Sequence, residues 1–195
     1  MQIIKIMKTI YTFILLNLFF ITCKSQQTYD LNSFSLSNPE YGRYYKDLQG
    51  CLNQFVGTWK NVTGNKTFKI TLYKEEKHNF DIYYMDIICG DYEMIENEGQ
   101  PNETVLYKSK KIIGTTGNYF TPAIRTRGAC AGIGGTIIDN TTMTSTNMGN
   151  LITGNLSFYL TSTNTAQWKV DILEGLRVQG TTAFSLPMNL VMTKQ

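Results

Sequence analysis

From Gly57 onward, apolar and polar residues alternate with a period of two. In "KTFKITLYK" the residues Phe68, Ile70 and Leu72 alternate with Lys69, Thr71 and Tyr73. "NFDIYYMDI" places Phe80, Ile82 and Tyr84 on one side, and "NLSFYLTS" does so with Leu156, Phe158 and Leu160. "AQWKVDILEG" (Trp168, Val170, Ile172) and "LPMNLVMTK" (Met188, Leu190, Met192) repeat the pattern. This period predicts strands with one dry face. Turn-forming residues at 63–65, 76–79, 97–102 and 162–165 separate them at hairpin lengths. About eight such strands describe a single antiparallel meander, and a sheet of that size closes or sandwiches because closure removes its exposed edges. No helical period separates the strands, which argues against a parallel α/β sheet. The expected class is all-β.

Ahead of Gly57 the period changes. Tyr44, Leu48, Cys51, Leu52 and Phe55 are spaced by four, three, one and three, which predicts a short amphipathic N-terminal helix that Gly57 can stop. Residues 26–42 are polar, hold Pro39 and show no period, and so read as a linker or tether. Residues 43–195 are then the β-domain.

The first 25 residues have the layout of an export signal. Lys5 and Lys8 precede an apolar run over 10–21 that is shorter than the roughly 20 residues a spanning helix needs. Two cleavage readings remain open. "FITC" resembles a lipoprotein box, in which Cys23 is acylated and anchors the chain by lipid. "CKS" satisfies the small-x-small rule of ordinary signal peptidase and leaves Gln26 first. Either way the expected location is the cell envelope or beyond: anchored in the outer membrane, periplasmic or secreted.

Charge is informative only after the leader is set aside. The net charge is +3, from 18 basic and 15 acidic residues, and Lys5, Lys8 and Lys24 account for the excess. The remainder is balanced, and no Lys/Arg stripe suited to a phosphate backbone is present. No nucleic-acid partner is expected.

Three cysteines lie beyond Cys23: Cys51, Cys89 and Cys130. In an oxidising compartment they allow one internal disulfide. Cys89 and Cys130, each on an expected strand and closely followed by Gly, are the preferred pair. No metal-ligand spacing occurs and His78 is the only histidine, so neither a metal site nor a cofactor is expected. His78 would have to be the base of any Ser or Cys triad, yet it sits in the polar stretch "KEEKHN". Asp91 and Glu93 share a strand face, and "GACAGIGGT" lacks the Lys-Ser/Thr ending of a phosphate loop. Its glycines mark either a bulged strand or a loop over a barrel mouth. No catalytic residue is assigned.

The stretch "FVGTWK" carries a resemblance. A short helix, then G-x-W (Gly57, Trp59) opening the first strand, then a meander, is similar to the lipocalin and calycin arrangement. The resemblance implies a closed barrel with Trp59 across its floor. It also implies a basic residue from late in the chain over the Trp face, for which Arg177 and Lys194 are the candidates. The leader ending "CKSQ", "YYKDL…L…FVGTWK" and the C-terminal "FSLPMNLVMTKQ" further resemble a family of exported bacterial proteins, often lipoproteins, with a domain of unknown function. The expected function is therefore a non-catalytic, lipocalin-like envelope barrel binding a small apolar ligand, with Tyr83, Tyr84 and Phe158 as candidate contacts. The alternative is a protein-interaction or inhibitor-type accessory lipoprotein with a protein partner.

Overall fold

The structure, a computed structural model, describes residues 27–35, 37–110, 112–113, 118–119, 122–141, 152–172 and 184–195. The leader with Cys23 lies outside the described residues, as does Arg177. In chain order the strands are β1 (Thr28–Asp30), β2 (Tyr44–Lys46), β3 (Gly57–Thr63), β4 (Lys66–Asn79), β5 (Tyr84–Glu96), β6 (Thr104–Lys108), β7 (Ile112–Ile113) and β8 (Asn118–Tyr119). They continue with β9 (Ile124–Ala129), β10 (Gly132–Asp139), β11 (Ile152–Leu160), β12 (Thr165–Asp171) and β13 (Asn189–Lys194).

Eight of these close into an antiparallel barrel in the order β3-β4-β5-β9-β10-β11-β12-β13, with β13 returning to β3. Alternation explains the closure. Of the expected inward positions, Phe68, Ile70, Leu72, Leu156, Phe158, Trp168, Val170 and Met192 are buried, whereas Ile82, in the reversal before β5, and Met188, ahead of β13, are exposed. Cross-strand pairs such as Trp59↔Ile70, Ile70↔Tyr92 and Phe158↔Trp168 stack them in layers. Opposite these bulky groups stand glycines. Gly90 pairs with both Leu72 and Ile124, and Gly154 pairs with Ile137. A Cβ on Gly90 would lie 2.6 Å from Leu72 Cδ2 and 2.7 Å from the Thr71 carbonyl. Large and small residues thus alternate around the wall, which lets the aromatic rings fill the bore.

β5 organises what lies outside the barrel. One of its edges pairs with β4 throughout, while the other is shared in turn by β2, β9 and β6. β2 adds in parallel at Tyr44↔Tyr84, and β1 adds in parallel to β2. A side lobe of β1, β2 and the ends of β4 and β5 therefore projects past the Trp59 end of the barrel.

Four expectations change at this lobe. The 26–42 tether is docked where described: Thr28 pairs with Tyr44, and Leu31 is buried within the core. Leu31, Phe34 and Tyr29 pack on the core and, with the β1–β2 pairing, dock it. The short N-terminal helix shrinks to one 3-10 turn, Cys51–Gln54, because Tyr44–Lys46 is taken up as a strand. The turn expected at 76–79 belongs to β4, which reaches Asn79 through an irregularity between Glu75 and His78. Lys77 adopts φ +55° there, and the reversal follows at Phe80–Tyr83 with Asp81 at φ +66°. The glycine-rich stretch is the tight β9–β10 hairpin on the Trp59 side, not a loop over a mouth.

The cysteine pairing also differs. Cys51 is bonded to Cys130, and Cys89 is a buried free thiol. Cys89 pairs in the sheet with Arg125, five residues before Cys130. Five residues of strand span roughly 16 Å, well beyond what a disulfide bridges. Gly50, at φ +70°, instead turns Cys51 toward the β9–β10 hairpin. The side chain of Gln54 adds a hydrogen bond to the Cys130 carbonyl.

Candidate functional site

The floor of the barrel is built around Trp59, which is fully buried. Its Nε1 donates to the Phe55 carbonyl at 2.8 Å, tying the indole to the 3-10 turn beneath it. Burying an indole of roughly 200 Å² stabilises by at most about 5 kcal/mol. Lys194 pairs with Trp59 across β3 and β13 and sets its ammonium 5.4 Å from the ring centroid. Its Nζ also donates to the Gln54 carbonyl at 2.7 Å. Gly57, at φ +124°, leaves room for this side chain, since a Cβ there would meet Lys194 Cε at 3.3 Å.

Above the floor the bore is occupied. Phe158 has its ring centroid 5.1 Å from Trp59, 6.2 Å from Phe55 and 6.4 Å from Trp168. Phe68 packs on Trp168 at 5.5 Å and on Tyr92 at 6.3 Å. Phe158, expected as a ligand contact, is therefore a core residue surrounded by other rings.

Open concavities lie on the outer wall, one of about 460 Å³ among Lys69, Asp91, Glu93 and Lys108 and another beside β9. A trough of about 450 Å³ runs between the β4–β5 reversal and the outer face of β9 and β10. His78, Phe80 and Asp81 form one wall, and Arg125 and Arg127 form the other. Gly134, Gly135 and Thr136 line it from β10. Arg127 also borders a second recess of about 250 Å³, whose other lining residues include Leu31, Phe34 and Met85. Arg127 thus borders both spaces.

Sequence spacing places the two arginines together. In "IRTRG", Ile124 is buried in the core and Thr126 donates to the Ile88 carbonyl at 3.0 Å, so Arg125 and Arg127 point outward. Among the described residues neither guanidinium makes an ion pair or a side-chain hydrogen bond. Arg127 lies 5.9 Å from the centroid of the Phe34 ring. The aromatic wall is braced from behind. His78 meets Phe80 edge-on at 4.8 Å, Phe80 stacks on Tyr83 at 5.1 Å, and Tyr83 contacts Phe34 at 5.0 Å.

Tyr83 and Tyr84 therefore separate. Tyr83 is buried and backs the trough wall, whereas Tyr84 starts β5 beneath Lys77 Nζ at 5.3 Å. The structure does not bring Tyr83, Tyr84 and Phe158 into one site. The sequence signal not used was the arginine pair, two cations at period two beside the glycine-rich stretch.

Acidic groups nearby are engaged. His78 Nδ1 and Glu75 Oε1 are 2.6 Å apart, and Cys89 Sγ donates to Glu75 Oε2 at 3.3 Å. Burial pushes the Glu75 carboxyl up, but the bonds from His78 and Cys89 and the charges of His78 and Arg125 outweigh it and hold it below its ordinary value. Burial, with Glu75 alongside, raises the Cys89 thiol to about 12, so it is protonated at neutral pH. Asp91 and Glu93 lie elsewhere on β5. Asp91 accepts from Ser109 Oγ at 2.8 Å and Glu93 is bridged to Lys69, which occupies both acids structurally.

A family model, described as a family of unknown function (DUF6705), matches residues 7–195. The chain belongs to that family. No curated protein and no solved structure matches this DUF6705 chain. Among its described residues, no group of three or more His, Cys, Asp or Glu is placed to hold a metal ion.

Proposed function

We propose that this DUF6705 protein is an exported, non-catalytic, lipocalin-like binding protein whose ligand lies in the outer trough and not in the bore. The observation that carries this reading is the contrast between the two spaces. The bore is filled by Trp59, Phe68, Phe158 and Trp168, while the trough joins a sheet floor, an aromatic wall and two guanidiniums that make no ion pair among the described residues. Binding sites combine such an apolar lining with a few placed polar groups. The Cys51–Cys130 disulfide supports an oxidising compartment and hence export. The G-x-W start, the barrel order and Lys194 over Trp59 support the lipocalin-like reading.

The test is native mass spectrometry of protein purified from the envelope of its own host, beside a Gly134→Leu variant. Gly134 lines the trough, and a Cβ there makes only an ordinary 3.5 Å contact, so the variant fills the trough without disturbing β10. A small-molecule mass retained by the parent and lost by the variant is expected. A mass retained equally by both would place the ligand elsewhere.

One observation favours the protein-interaction reading. Among the described residues β6 pairs with β5 alone, and its Val105 and Leu106 are exposed, as an edge that accepts a partner strand would be. A co-purifying polypeptide in the same spectrum, lost on Val105→Lys, would support it.

A further inference from the structure

We propose that the ligand is a single-headed anionic amphiphile, its carboxylate or phosphate on Arg125 and Arg127 and its apolar tail in the recess beside Phe34. The inference rests on the trough being the binding site and adds the chemistry of what fills it.

The head site follows from spacing. Residues two apart on a strand stand about 7 Å apart on one face, so the two flexible guanidiniums can close on one anion between them. Arginine is suited to this because its planar fork meets carboxylate and phosphate oxygens two at a time. One acid, Asp81, lines the trough, and Glu75 lies behind it beside His78. Glu75 is committed to His78 and Cys89, and Asp81 is exposed at the β4–β5 reversal. The Arg125 charge acts on Glu75, but among the described residues neither acid makes an ion-pair contact or a hydrogen bond with either guanidinium, whose donors are open to a ligand.

The tail site follows from the second recess. Leu31 and Met85 are buried and Phe34 is packed against the core, so an alkyl chain there meets carbon on several sides. Gly128 and Ala129 leave that wall almost without side chains. Gly128 cannot be enlarged, since a Cβ would lie 2.2 Å from the Gly132 carbonyl. Arg127 borders both compartments, with its guanidinium near the Phe34 ring. A molecule whose charge and chain meet at that junction satisfies both spaces. A purely apolar ligand would leave the arginines unused, and a small inorganic anion would leave the recess empty.

The test is calorimetric titration of the purified protein with four probes: decanoate, decyl phosphate, decanol and acetate. Decanoate and decyl phosphate are kept monomeric, and their relative affinities say which head group is preferred. Both are expected to bind at least about tenfold more tightly than decanol or acetate, in line with hydrogen bonds to a charged group. Arg127→Gln is expected to reduce decanoate affinity about tenfold or more and to leave decanol unchanged, with thermal unfolding near that of the parent. Arg125→Gln is expected to act in the same direction, which keeps the test valid should one variant misfold. Decanol binding as tightly as decanoate, with Gly134→Leu blocking both, would overturn the anionic head while sparing the trough. Failure of all four probes would overturn the inference and count against the trough itself.

Discussion

Lys194 and Trp59 are directly opposed across the β3–β13 pair that closes the barrel, with the ammonium 5.4 Å from the indole centroid. The contact joins the end of the chain to the first barrel strand and, through Gln54, to the turn beneath the floor. Lys194→Met keeps the bulk and removes the charge and the hydrogen bond. It is expected to cost about 1–3 kcal/mol, combining a partly desolvated cation–π contact with a hydrogen bond to a charged group. Urea unfolding followed by Trp fluorescence measures this, and an unchanged midpoint would show that the contact is incidental.

The Cys51–Cys130 bond closes a loop of 79 residues. Chain-entropy reasoning assigns such a loop about 4 kcal/mol, so Cys51→Ser should lower stability by that order. Cys89 should stay unmodified by iodoacetamide at pH 8 in the folded protein, because its thiol is buried and held protonated, and should react once the chain is unfolded. Urea unfolding measures the stability loss, and mass mapping after alkylation decides the thiol reactivity and the pairing. Alkylated Cys51 and Cys130 in the native protein would contradict the pairing.

Acid sensitivity should come in part from Asp86. Its buried carboxylate accepts from Tyr44 Oη at 2.6 Å, from the Asp47 and Lys77 amides at 3.0 Å each, and lies 3.5 Å from Lys74 Nζ. Burial pushes its carboxyl up, but the bonds from Tyr44, Lys77 and Asp47 and the Lys74 charge prevail and lower it. A carboxyl lowered in the folded state contributes stability above its unfolded value of about 4, and that contribution is lost as pH falls through the folded value. Unfolding free energy should therefore decline below about pH 4, and Asp86→Asn should flatten the decline while lowering stability at pH 7. Removing one side of a buried charged cluster typically costs about 3–5 kcal/mol. Parallel pH profiles for parent and variant would contradict the assignment.

Gly90 and Gly134 make a matched pair of tests. A Cβ on Gly90 meets Leu72 and the Thr71 backbone within 2.7 Å, so Gly90→Ala should cost about 1–3 kcal/mol by overpacking. Gly134→Ala meets nothing closer than 3.5 Å and should be close to neutral. Equal effects on the thermal midpoint would mean that glycine serves some purpose other than space at these positions.

Alternation made the barrel strands legible, because burying one face of a strand forces a period of two, and Phe68, Ile70, Leu72, Leu156, Phe158, Trp168 and Val170 all point inward. It could not tell a cavity from a filled bore. That depends on how Phe158 meets Trp59 and Trp168 across strands far apart in sequence. The side lobe was illegible for a related reason. Tyr44–Lys46 fits a helical spacing locally, but β5 offers it a free edge and sheet pairing overrides the local preference. The disulfide was misassigned because a strand setting and a following Gly say nothing about register, which sets Cys89 opposite Arg125. The trough needed four separate segments, 78–81, 87, 125–127 and 134–136, and only Arg125 and Arg127 left a mark in the sequence that could have been read.

The most direct test is an NMR titration with decanoate that follows the indole N–H signals of Trp59 and Trp168 together with the amides of Leu31, Arg125, Arg127 and Gly134. The account predicts saturable shifts at Leu31, Arg125, Arg127 and Gly134, with both indole signals unmoved. Saturable movement of the two indole signals, with the arginine amides still, would put the ligand in the bore and contradict it.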